Sequence, residues 1–356
     1  MAAAVASLIV AMWAGLLRLG INLPNGPESL PVAHGPLMVC GFLGTLISLE
    51  RAVALAALWA YAAPALTGVG AVLLILGVGG TVGPILIVLG SLALVLDFAV
   101  IVRRQCEIFT VAMALGAAAW LVGNLLWALG WPIPDMVFWW AGFFVLTIVG
   151  ERPEMNRMRA PARFAIPMFM VSAALFIVGL LWSTFGAGPG LRILGIGTLS
   201  FALWIALYDV ARNTIRIPGL PRFIAVNLLL GAGWLAASGA MRIILPADLT
   251  TLQYDAVLHS LFLGFVFSMI FAHAPIIFPA ILGKSLPFQR IFYVHVVVLH
   301  AALLLRISGD FADSYEMWKW GAIGTVTAVL IFIVATVGVI SDPGLSRSTI
   351  TAPVHE

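Results

Sequence analysis

The chain has 356 residues, 62% of them hydrophobic and 9% charged, and that is more apolar surface than a water-soluble domain of this length can bury. A soluble enzyme or a soluble binding module is therefore excluded. The formal net charge of +3 is accounted for by where the basic residues fall along the chain, so it gives no ground for a nucleic-acid partner.

Crossing a hydrocarbon core of roughly 30 Å takes about 20 helical residues, and helices are the expected solution because lipid does not satisfy open backbone groups. Breaks at charge clusters, Pro and Gly predict spans over 3–20, 32–52, 58–79, 82–102, 107–129, 135–150, 164–185, 190–210, 223–244, 254–281, 288–308 and 318–340. The expected fold class is all-α: one polytopic domain over 1–356 with twelve membrane helices and a cytoplasmic tail at 341–356. The first run has no basic segment before it and no small-residue cleavage site, so it reads as a span and not as a removed signal. After the second span the turn is expected either at Glu50-Arg51 or at Ala62-Ala63-Pro64. Asp97 sits inside the fourth span, placed to relay protons or, within two turns of Arg103 and Arg104, to reach the interface, and Asp209 reads the same way. "GERPEMNRMRAPAR" and Glu50-Arg51 read as helix ends and an Arg-rich surface. Trp131, Trp139, Trp140, Trp318 and Trp320 fall near span ends, where an aromatic belt is expected. Cys40 and Cys106 form no metal motif and read as packing residues.

Orientation follows from Lys and Arg. With the N-terminus inside, Arg51, Arg103, Arg104, Arg152, Arg157, Arg159, Arg163, Arg212, Arg216, Arg222, Lys284, Arg290 and Arg347 are cytoplasmic. Arg18, Arg192, Arg242, Arg306 and Lys319 are outside, which is 13 of the 18 basic residues against 5. Both termini are then cytoplasmic, as in a bacterial plasma membrane.

Histidine is costly in a bilayer and is usually kept there for a function. His34 and His259 lie near the starts of spans that both run inward, at about equal depth. Two imidazoles from separate helices are what a six-coordinate haem iron takes. Gly35 and Gly41 leave room for a planar group, and Arg306, with Arg242 and Lys319 as weaker candidates, is placed to pair with haem propionates. The plainer alternative is a histidine that hydrogen-bonds a neighbouring helix and binds nothing.

These residues carry a resemblance. "YDAVLHSLFLGFVFSMIFAHAPIIFPAILGK", residues 254–284, resembles the tenth helix of the catalytic subunit of haem-copper oxidases, and "AHGPLMVCGF", residues 33–42, resembles its second helix. The resemblance implies a haem-copper-oxidase-like bundle with a bis-histidine haem b on His34 and His259. "FADSYEMWKWGAIGT", residues 311–325, resembles the segment leading into the twelfth helix of that superfamily. The oxygen-reducing site is missing: Val257 stands where the second haem ligand belongs, and spans six and seven hold no histidine. Dioxygen reduction is therefore not expected. "HSLFLGFVFSMIFAHAP", residues 259–275, is also similar to the tenth helix of the NnrS-type family, twelve-span haem proteins associated with the nitric oxide response, which implies redox handling of such a small molecule, while a six-coordinate iron with no open position points to electron transfer.

His259 and His273 are fourteen residues apart on about one face, roughly 21 Å along the helix. His273 with His295, and His300 a turn or two away, make a candidate second haem or copper site. A pair of histidines bracing the helix break at Pro275 is the alternative there. Expected partners are the lipid bilayer and a quinol or an outer-face redox protein. Two other function classes stay open: a small-solute transporter or channel lined by the histidines, and a haem-binding sensor without turnover.

Overall fold

The structure is a computed structural model, and it describes residues 1–24, 26–155, 163–284 and 286–341. Arg157, Arg159, Arg347, His355 and the tail at 342–356 lie outside the described residues. Among the described residues the chain is helical, without strands. Eleven helices are long and apolar enough to cross a membrane, and Ala2–Arg18, with 17 residues, makes the twelfth. That length is at the lower limit of about 17 residues for a spanning helix. The molecule is an integral membrane protein with an all-α bundle, as its composition requires.

In chain order the helices are α1 Ala2–Arg18, α2 His34–Leu55, α3 Leu58–Leu76, α4 Val82–Arg104, α5 Ile108–Ala128 and α6 Ile133–Met155. They continue as α7 Ala165–Phe185, α8 Ala187–Tyr208, α9 Leu220–Ile244, α10 Thr251–Ile281, α11 Phe292–Ala312 and α12 Tyr315–Ser341. Contacts divide the chain into two compact units, Met1–Met155 with α1–α6 and Asn156–Glu356 with α7–α12, where the sequence predicts one twelve-helix domain.

In the first unit α1 packs on α2 and α3, and α3 to α6 follow as antiparallel neighbours. Trp120 stacks on Phe143 at 4.8 Å, and Trp140 donates to Asn124 at 2.9 Å. Trp139 and Trp140 are thus buried inside this unit and do not face a lipid interface, which corrects the belt expectation for those two; Trp131 and Trp320 are exposed. The sequence shows their closeness to a span end but not the face they occupy. The turn after α2 falls at neither expected place. The helix runs through Glu50 and Arg51 and stops at Leu55, because Ala56 adopts a left-handed conformation (φ 51°). Arg51 bonds Glu50 at 3.0 Å and Glu151 at 2.5 Å, and Arg152 is buried, so Glu50 and Arg51 sit in a packed ionic cluster, while residues 156–162 of the Arg-rich stretch lie outside the described residues.

In the second unit close helix packing rests on glycine. Lipid tails are as apolar as the helices, so association depends on near contact of backbones and on small residues. A Cβ on Gly179, Gly190 or Gly197 would collide with the backbone of the facing helix in the α7/α8 pair. The same holds for α11 and α12, where Gly309 meets the backbone of Trp318 and Gly321 meets that of Arg306. Outward, apolar side chains such as Val171, Leu304 and Val334 are exposed, as a lipid-facing surface requires.

Candidate functional site

In the second unit Asp255, one turn before His259 on α10, is the hub. Its carboxylate accepts from Arg306 Nε at 2.7 Å, Arg306 Nη2 at 2.7 Å and Trp318 Nε1 at 3.1 Å. His259 Nδ1 lies 3.0 Å from the Asp255 carboxylate oxygen Oδ1 and 3.0 Å from its carbonyl oxygen. Two donors reach each carboxylate oxygen, which is about what a carboxylate can accept. The α11/α12 contact through Gly309 and Gly321 brings Arg306 and Trp318 to the same carboxylate, and the Arg306 guanidinium lies 5.9 Å from the Trp318 ring. The sequence identified His259 and Arg306; the structure links them through Asp255.

This geometry fixes a tautomer. Carbonyl and carboxylate oxygens only accept, so Nδ1 of His259 donates to them, and in the neutral imidazole Nε2 holds the lone pair. Among the described residues Nε2 has no hydrogen-bond partner, and the ring is half-buried. A carboxylate on the remote nitrogen is the support that metal-ligating histidines have, since it orients the ring and raises its basicity. Arg306, expected to hold a propionate, has Nε and Nη2 committed to Asp255, which leaves Nη1 for that role. Beside this network Asp310 is buried, and neither of its oxygens receives a hydrogen bond.

In the first unit His34 opens α2 and places Nδ1 2.7 Å from the carbonyl oxygen of Ala11 on α1. A Cβ on Gly15 would come within 3.0 Å of the His34 ring, so glycine there lets the imidazole lie against α1. Here too the acceptor assigns the proton to Nδ1. Gly35 faces open space. Gly41, expected to leave room for a planar group, is packed against Ser7 and Ala71 and provides none.

Each of these two histidines precedes a π-helical stretch, Leu37–Gly44 after His34 and Ser260–Phe267 after His259. Such widened turns are uncommon and gather at functional sites.

The other sequence candidates have separate surroundings. His273 Nδ1 lies 2.7 Å from the carbonyl oxygen of Met269. His300 accepts from Trp234 Nε1 at 2.8 Å through Nδ1, which puts its proton on Nε2, 3.5 Å from Ser268. In that state it has no lone pair to offer a metal. His295 is buried among phenylalanine rings, and neither of its nitrogens is hydrogen-bonded. Among the described residues no three His, Cys, Asp or Glu side chains gather as a metal-holding group.

Arg242 on α9 is buried. It donates to the Pro246 carbonyl at 2.7 Å, and its Nε and Nη1 are without hydrogen-bond partners. Ser238, one turn earlier, donates to the Val257 carbonyl at 3.0 Å. Asp97 is fully buried and its carboxylate oxygens have no hydrogen-bond partner, whereas Asp209 accepts from the Ala211 amide at 2.8 Å as a turn cap. Cys40 donates to Asn124 at 3.2 Å, Cys106 is exposed, and both are free.

Asp255 and Trp318 were the functional residues that sequence reasoning missed. The Asp255–His259 spacing of one helical turn was the available signal for the first. Residues 1–341 match the family described as Domain of unknown function (DUF8744). No curated protein and no solved structure matches the chain.

Proposed function

The chain belongs to the DUF8744 family, and from its own residues we propose that it is a membrane haem b protein acting in electron transfer or in redox handling of a small molecule such as nitric oxide. One observation carries this reading: His259 is held through Nδ1 by the Asp255–Arg306–Trp318 network, which leaves Nε2 without a hydrogen-bond partner among the described residues. Maintaining that arrangement in a membrane span is costly, and axial ligation is what it prepares.

Imidazole is a ligand type that haem iron takes, and within its own unit each of His259 and His34 is oriented by a bond on Nδ1. The two unpaired N–H groups of Arg242 are what a propionate would satisfy. Bound haem would supply a one-electron iron couple. The work of the chain is to orient the imidazoles, to set their basicity through Asp255 and to keep the surroundings apolar, all of which tune the potential of a low-spin iron.

The likeness of "AHGPLMVCGF" and of residues 254–284 to haem-copper oxidase helices, and of "HSLFLGFVFSMIFAHAP" to the NnrS-type tenth helix, supports the same reading. In the proposed setting, a bacterial plasma membrane with both termini cytoplasmic, the two ligands lie toward the outer face. A quinol or an outer-face redox protein is the electron donor.

The test is haem extraction and counting on the purified full chain, with His34→Ala and His259→Ala beside it. One haem per chain, lost in either variant, means one shared iron. Two haems per chain, with one lost in each variant, means separate irons. A colourless protein after expression with ample haem overturns the proposal and moves the small-solute transporter to first place.

A further inference from the structure

We infer that the space around His295 in the second unit is a binding site for the ring of a lipid-soluble quinone, quinol or phenol. This inference is independent of haem at His259. His295 is 1% exposed, and both ring nitrogens are buried without hydrogen-bond partners. A neutral imidazole has one donor and one acceptor. Leaving both unmade among hydrocarbon is unfavourable, and a phenylalanine in their place would avoid that cost.

Around it stand four rings from four helices: Phe271 at 4.5 Å between centroids, Phe332 at 5.3 Å, Phe292 at 6.0 Å and Phe223 at 6.3 Å. They are tilted 45° to 81° from the imidazole plane, so aromatic edges and faces both line the space. Among the described residues Thr336 is the only other polar side chain on its wall. As it stands the space does not admit a water-sized sphere, so entry requires the phenyl rings to turn aside.

The chemistry narrows the occupant. One imidazole and one hydroxyl are too few donors to hold a metal ion. A planar ring packs well among four phenyl groups. A carbonyl or hydroxyl on that ring gives His295 the partner it lacks. His295 is three residues into α11, about 4.5 Å from its start. Leu286, in the connection between α10 and α11, forms part of the wall. The cavity is therefore close to the bilayer interface, within reach of a molecule dissolved in lipid.

The experiment is equilibrium dialysis of radiolabelled decylubiquinone against the purified full chain in detergent, with His295→Phe and His295→Gln. Expected are saturable binding near one per chain, a loss of tenfold or more in His295→Phe and partial retention in His295→Gln. The His295→Phe melting temperature should equal or exceed that of the parent, since the change removes unsatisfied polar atoms. Absence of saturable binding, or equal binding by His295→Phe, overturns the inference. Should the variants fail to fold, an azidoquinone on the parent decides: adducts on helix segments bearing Phe271, His295 or Phe332 support it, and adducts elsewhere overturn it.

Discussion

His34 and His259 are prepared alike in one respect and differently in another. Both bond through Nδ1 and both precede a π-helical stretch, yet His34 relies on a backbone carbonyl and His259 on a half-buried carboxylate fixed by an arginine and a tryptophan. The carbonyl is neutral and belongs to a helix, so side-chain substitution does not remove it. The carboxylate is charged, depends on its partners and makes its imidazole the more basic ligand. The first unit therefore positions its histidine, whereas the second positions and tunes one.

Arg306→Leu should disturb this difference most. It leaves the half-buried Asp255 with its ion pair broken and should lower the melting temperature and haem content together. Arg306→Lys should recover only part, because an ammonium does not reproduce the two-pronged contact. Asp255→Asn should come next. The protein should fold but bind haem about 10–100-fold more weakly, as loss of a second partner of a metal-bound histidine typically does. The remaining haem should have a raised reduction potential, because a negative charge that favours ferric iron is gone. Redox titration checks the direction, and an unchanged potential would mean that the carboxylate tunes nothing.

Gly15→Ala probes the other unit. Its new methyl group would press on the His34 ring, where 3.0 Å is available. A smaller fall in haem content is expected, with the potential of what remains close to the parent's. Trp318→Phe should be the mildest. It removes one of the donors to Asp255, about 0.5–1.5 kcal/mol, and should keep haem fully bound in an absorption titration.

Much of the fold is legible in the sequence because spans are long apolar runs ended by charge, Pro and Gly. The faces are less so. Trp139 and Trp140 stand near a span end but are buried, Trp140 against Asn124 and Trp127, which only packing reveals. His34 and His259 stand out because a polar group in an apolar span has few bland explanations. Asp255 hides in the polar start of its helix, where an acidic residue needs no explanation. Arg306 is visible as an outer basic residue, while its partner, 51 residues earlier, is not. His300 looks like a ligand until Trp234, 66 residues away, is seen to occupy its lone pair. The π-helical stretches leave no mark in composition, since an extra residue in a turn changes no hydropathy pattern.

The most direct measurement is the absorption spectrum of the purified chain, oxidised and dithionite-reduced, beside that of His259→Ala. The account predicts sharp reduced bands of a low-spin haem in the parent and their loss in the variant, with the variant still folded in detergent. A folded His259→Ala protein that keeps the parent's bands would contradict it.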